Sequence, residues 1–272
     1  MLDDVLAAPF VQEMVHITRE MYNHGWDERN GGNISLLLSP EELAPYSCCL
    51  HVQRELPLGF CAPALAGRTL LVTGTGKYFK NVSADPAAHL GIIRISPTGD
   101  TAFLLWGFSD GGTYTSELPA HLASHAQRLA CDAQHRVIMH CHPTNILAMT
   151  FVHSLDEREF TRSLWRMCTE CMMVFPDGIA VLPWMMCGTE SIGQATAEKM
   201  KESRLVVWAQ HGIYAAGKCL DEAFGLIETV EKAAAVYMKI AHLTCINTIS
   251  DEQLLEIATS YGVCPRAGYL NI

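Results

Sequence analysis

Hydrophobic and polar positions follow two periods along this chain, one near 3.6 and one near 2. From Phe10, apolar residues recur at helical spacing through Met14, Ile17 and Met21 until Gly25, which predicts a helix and then a break. RNGGNISLLL turns on glycine and asparagine, which tolerate positive φ, and then enters a strand. Residues 40–68 read as an irregular, proline-containing insertion. TLLVTGTGKYF reads as a strand ending in a glycine-rich turn, with GIIRIS and FLLWGF as further strands. Ser116 is expected to cap a helix that carries Pro119 in its first turn and Leu118, Leu122 and Leu129 on its inner face. RVIMHCH reads as a strand, Thr144 to about Met167 as mostly helical, and CMMVFPDGIAVLPWM as strand-like around a Pro-Asp-Gly turn. A helix is expected over 190–202, and LVVWAQHGIYAA as a strand pair or as one strand broken at Gly212. Phe224, Ile227, Val230, Ala234, Tyr237 and Ala241 make one stripe of a long amphipathic helix. Ser250 and Gln253 form a capping box for a last helix that stops at Gly262.

Helices interspersed among strands predict an α/β sandwich around one sheet, and with no internal repeat or linker the chain 1–272 is expected to be a single domain. Its 272 residues, 49% hydrophobic, can bury a full-sized core. A formal charge of −10 argues against a nucleic-acid or anionic-membrane partner, because neither contact forms readily without a basic face. An anionic small substrate stays compatible if the site itself supplies positive potential. The first twenty residues lack a basic stretch ahead of an apolar one, and no apolar run is long enough to span a bilayer. Eleven scattered cysteines suit reduced thiols better than a disulfide framework. A soluble cytoplasmic protein is expected.

Candidate chemistry begins at His140 and His142, which share one face of an extended segment while Cys141 points to the other. The pair could bind a metal or a substrate, or simply be hydrogen-bonded in the core. His211 interrupts the apolar VVWAQHGIY, where an unpartnered imidazole would be costly. Three such histidines match the three-ligand pattern of a catalytic zinc with an open fourth position. Glu117 lies at a helix start, where the macrodipole favours its ionised form, and near a metal it could serve as a general base or a displaceable ligand. His121 and His125 in HLASH are four apart on a helix but lack the glutamate of a metalloprotease motif. GTGK at 74–77 is too short for a Walker A loop, and NGGN is followed by a strand rather than the helix of a dinucleotide fingerprint.

Taken in order, GWDERNGGNIS, TGTGKYFKN, TSELPAH, VIMHCHPTN, TECMMVFPDG, LPWMMCGT and QHGIYAAGKCLDEAFGLIETVEKAA resemble the class II aldolase/adducin family over nearly the whole chain. That resemblance implies a three-layer α/β/α sandwich around one mixed, largely antiparallel central sheet. It implies one zinc ion per subunit held by His140, His142 and His211, with Glu117 as the proton-transferring acid/base. Asn30, Gly32 and Asn33 of the first loop, Thr75 and Gly76 of the second, and Ser116 correspond to a phosphate cradle. Backbone N–H groups and small polar side chains can surround a phosphate without a basic patch. The implied reaction is reversible cleavage of L-rhamnulose 1-phosphate into dihydroxyacetone phosphate and L-lactaldehyde. The implied assembly is a homotetramer in which Glu170 reaches a neighbouring site and serves the aldehyde half. Thr75 stands where serine is expected and keeps the hydroxyl, and Pro143 follows the second histidine where a small residue is also common. Alternatives are activity on L-fuculose 1-phosphate, epimerisation of L-ribulose 5-phosphate, a noncatalytic adducin-like module and a zinc hydrolase.

Overall fold

The computed structural model describes residues 4–272. Among these residues, nine strands form one sheet: β1 (Asn33–Leu38), β2 (Arg54–Pro57), β3 (Thr69–Thr73), β4 (Leu90–Ile95), β5 (Thr101–Gly107), β6 (Val137–Cys141), β7 (Ile179–Leu182), β8 (Leu205–Trp208) and β9 (Gly212–Gly217). Their order is β2-β5-β4-β3-β1-β6-β9-β8-β7. Among the described residues, β7 and β8 pair in parallel and every other ladder is antiparallel. Alternation along each strand feeds two cores. Ile34, Leu36, Val137, Met139 and Cys141 face the helices Pro9–Asn23, Thr144–Val152, Glu157–Trp165, Thr169–Val174, Leu220–Ile240 and Asp251–Tyr261. Leu37, Val72, Ile93, Ile138, Val206 and Tyr214 face the helices Leu118–Cys131 and Glu190–Lys199. The result is the expected three-layer arrangement around a mixed, largely antiparallel sheet. Among the described residues, no helix is long and apolar enough to cross a membrane.

Several local expectations need correction. The insertion 40–68 contributes the edge strand β2, which ends at Pro57, and a short capped helix, Pro40–Leu43. Proline is tolerated there because an edge strand leaves some of its N–H groups unpaired. The apolar run from Cys171 begins as a helix, Thr169–Val174, and only Ile179–Leu182 is extended. Glu117, not Ser116, stands at the cap of the helix Leu118–Cys131, and its side chain makes no capping bond. LVVWAQHGIYAA is a strand pair, and the box at Ser250 and Gln253 has both of its bonds, with Gly262 left-handed at φ 66°.

Strand register sets the site. Asn33 of β1 is opposite His140 of β6, and His140 is opposite Tyr214 of β9. Three side chains therefore stand in one row across adjacent strands, on the face that receives the start of the helix Leu118–Cys131.

Candidate functional site

His140 comes from the end of β6, fully buried, and His142 from just past it. His211 sits in the tight connection from β8 to β9. That turn requires Gln210 at φ 58°, and Thr150 secures it: its hydroxyl oxygen accepts from the Gln210 N–H at 3.0 Å and its carbonyl oxygen accepts from the Gln210 side-chain amide at 2.9 Å. The three imidazole centroids lie 4.9 to 5.1 Å apart, and one ligand nitrogen from each falls within 4.8 Å of the others. Such closeness depends on glycines. A Cβ on Gly212 would lie 2.4 Å from the Cys141 carbonyl oxygen and 2.8 Å from the His142 ring, and one on Gly31 would lie 2.7 Å from His142 Nδ1.

Hydrogen bonds fix which nitrogen of each ring is free. His140 Nδ1 lies 3.0 Å from the Ile213 carbonyl oxygen, and His142 Nδ1 lies 2.8 Å from Glu28 Oε1. Both partners accept, so both Nδ1 atoms carry the proton, and each neutral ring keeps a lone pair on Nε2. Those two Nε2 atoms are buried with no hydrogen-bond partner. Burial, and then the neighbouring His142 and His211, hold the His140 pKa well below the usual histidine value; burial takes His211 down to about 4. Neutral rings with unpartnered lone pairs and outward N–H groups held by acceptors are the donor set that a divalent cation such as zinc requires. The residues present fit the metal.

Glu117 stands beside this cluster, with Oε2 3.6 Å from His140 Nε2 and Oε1 3.9 Å from His211 Nε2. Tyr214 donates its phenol to Oε2 at 2.6 Å, and Asn33 Nδ2 donates to the same oxygen at 3.0 Å. Oε2 is thus held beside His140 by two donors, while Oε1 stands toward His211. The helix-start position was expected to favour ionisation. Instead burial pushes the pKa up, against the opposing pull of Tyr214, Asn33 and His142. Desolvation outweighs the helix end, with which the carboxylate makes no capping bond.

The first and second loops lie against each other. Asp27 Oδ2 accepts from the Phe79 N–H at 3.2 Å, and a Cβ on Gly32 would lie 3.0 Å from the Phe79 ring. The Thr75 N–H reaches the Thr113 carbonyl at 2.9 Å, bringing the second loop beside the segment that carries Ser116. Asn30, Thr75, Gly76 and Ser116 are exposed. The side-chain amide of Asn33, a residue expected in the phosphate cradle, is engaged by Glu117 and His121. Glu170 is not part of the cluster; it is exposed and its carboxylate accepts from the Cys168 thiol.

Residue reading missed Tyr214, Cys187 and Glu231. The Tyr214 ring stacks on His140 at 4.4 Å, a contact set by strand register. Exposed Cys187 offers its thiol within 4.8 Å of Glu117 and His211, and nothing in LPWMMCGT signalled it. Glu231 accepts from the Asn145 and Ile146 N–H groups at 2.9 Å, fixing the chain as it leaves His142. Its place on the polar edge of the long helix stripe carried no sign of that partner.

The family model described as Class II Aldolase and Adducin N-terminal domain matches residues 12–238. The rhamnulose-1-phosphate aldolase of Listeria monocytogenes is 54% identical over 272 residues, covering 100% of both chains. The protein of the same name from Shigella boydii is 46% identical over 272 residues, covering 99% of each. Among solved structures, a sugar-phosphate aldolase from Thermotoga maritima superposes with a TM-score of 0.76 at 28% identity, covering 88% of this chain and 97% of that one.

Proposed function

The chain belongs to the class II aldolase and adducin family and is a carbon–carbon lyase of the aldolase type, and on that premise we propose that it cleaves L-rhamnulose 1-phosphate reversibly into dihydroxyacetone phosphate and L-lactaldehyde, with one zinc ion per subunit. Full-length similarity to the two rhamnulose-1-phosphate aldolases supports the substrate. The two buried, unpartnered Nε2 atoms of His140 and His142 beside His211 are the observation that carries the metal assignment.

In this reading His140, His142 and His211 hold the cation. When bound, zinc supplies a Lewis acid that polarises the ketose carbonyl and offsets the negative charge left on carbon as the carbon–carbon bond breaks. Glu117 moves the proton: Oε1, clear of the hydrogen bonds on Oε2, delivers it to C3 after the C3–C4 bond breaks and removes it in the condensation direction. Burial, which raises the carboxyl pKa, suits a group that must carry a proton for part of the cycle. Asn30, Gly32, Thr75, Gly76 and Ser116, with the main chain at Asn33, make the phosphate cradle. Residues 1–272 act as one domain, and four copies assemble in the cytoplasm as a homotetramer. There Glu170, exposed on its short helix, serves the aldehyde half of a neighbouring site.

The test is release of dihydroxyacetone phosphate, coupled to its reduction, with and without a chelator. L-rhamnulose 1-phosphate is run beside L-fuculose 1-phosphate and L-ribulose 5-phosphate. Chelator-sensitive triose phosphate release, fastest from L-rhamnulose 1-phosphate, is expected. Faster release from L-fuculose 1-phosphate would replace the substrate. A pentulose phosphate returned as its epimer without triose would replace the reaction.

A further inference from the structure

Behind Glu117, on the side away from the metal ligands, lie polar groups that the reaction does not use. HLASH places His121 and His125 one helical turn apart, and both point from the helix Leu118–Cys131 onto β1. Asn33 and Ser35 face them from that strand. Asn33 Oδ1 lies 2.5 Å from His121 Nε2, Ser35 Oγ lies 2.7 Å from His121 Nδ1, and Ser35 Oγ lies 2.8 Å from His125 Nε2. Asn33 is 5% exposed and Ser35, His121 and His125 are 0% exposed, so water cannot repair a broken link.

The direction of each hydrogen bond follows from the one before it. The Asn33 NH2 donates to Glu117 Oε2 at 3.0 Å, which leaves Asn33 Oδ1 as an acceptor. His121 must then carry its proton on Nε2. Burial holds the ring neutral, which leaves a lone pair on Nδ1. Ser35 has one proton, and that lone pair takes it. The Ser35 oxygen therefore accepts, and His125 must donate from Nε2. His125 Nδ1 ends the series as a buried atom with no partner. Burial holds this second ring neutral too, with a pKa of about 3. The opposite direction would set the Asn33 carbonyl against the Glu117 carboxylate.

We propose that His121, Ser35 and His125 are positioning residues that lock the Asn33 amide in one orientation and through it hold the Glu117 carboxylate for proton transfer. The proposal rests on the aldolase role of Glu117 given above. With Ser35 removed, the His121 tautomer and the Asn33 amide are no longer determined, and Oε2 loses a fixed donor.

Two measurements on the zinc-loaded, full-length protein test this. Neutron diffraction from deuterated crystals is expected to show deuterium on Nε2 and none on Nδ1 of both His121 and His125, with the Asn33 ND2 group toward Glu117. Deuterium on His121 Nδ1, or the reversed amide, overturns the relay, and this arm needs no variant to fold. Ser35→Ala is expected to lower kcat roughly tenfold, as for loss of an ordered hydrogen bond to a charged group, with KM within about twofold and zinc content unchanged. Ser35→Thr, which keeps the hydroxyl, should restore kcat. In a Glu117→Gln background Ser35→Ala should cost less than about twofold, because the carboxylate it positions is gone. An unchanged kcat in Ser35→Ala, or the same loss in both backgrounds, overturns the positioning role. Full activity of Glu117→Ala would instead remove the catalytic reading, while the deuterium positions still decide the hydrogen-bond order separately.

Discussion

Two pairs of histidines lie close together in this molecule, and each pair shares a face of its element. His140 and His142, two apart at the end of β6, join His211 with two Nε2 lone pairs left open. His121 and His125, four apart on a helix, are tied through Ser35, so three of their four ring nitrogens meet internal partners. Burial lowers the pKa of His140 and of both helix histidines, so that shift does not set His140 apart from them. What separates them is where the lone pairs go. One set is left open toward a common point, and the other is absorbed into a chain of bonds.

The sharpest way to break the contrast is to remove one open ring. His140→Ala or His211→Ala should lose zinc on dialysis and lower aldol cleavage by more than about a thousandfold, as expected when a Lewis acid worth several kcal/mol is lost. Metal analysis and triose phosphate release check it, and exhaustive chelation of the unaltered protein should reproduce it. Glu117→Gln should retain zinc and lower kcat by about 10²- to 10⁴-fold, the range for a lost general acid/base.

On the other pair, His125→Phe should keep the metal and instead lower stability by about 1–3 kcal/mol in urea, the cost of leaving the Ser35 hydroxyl short of its donor. Tyr214→Phe removes one of two donors to Glu117 Oε2 and should lower kcat roughly three- to tenfold, with zinc content unchanged. A last effect is in pH dependence. His125 binds its proton near pH 3 when folded and near 6.5 when unfolded, so the unfolded chain takes up protons first as pH falls. Its neutral burial therefore costs nothing above about pH 6.5 and erodes stability progressively from there toward pH 3, by at most about 1.4 kcal/mol per pH unit. Urea midpoints across that window should fall less steeply in His125→Phe.

Much of the three-histidine cluster could be read along the chain, because His140 and His142 obey strand alternation and His211 is a polar break in an apolar run. The two loops could be read as turns from their glycines and asparagines. Residues 171–174 were misread because Cys-Met-Met-Val is apolar throughout, and so short a run carries neither period. β2 was missed because four residues ending in proline give almost no alternation. The partners of Glu117 were out of reach for a different reason: Tyr214 is 97 positions away and Asn33 is 84, and only strand pairing brings them together.

The row Asn33, His140, Tyr214 also bears on how this protein reaches its final form. A slip of one residue in either ladder would swing His140 to the opposite face of the sheet, away from His211 and Glu117. In the proposed reading, a cation would bind only chains whose strands have paired in the right frame, and its binding would stabilise that population over misassembled competitors.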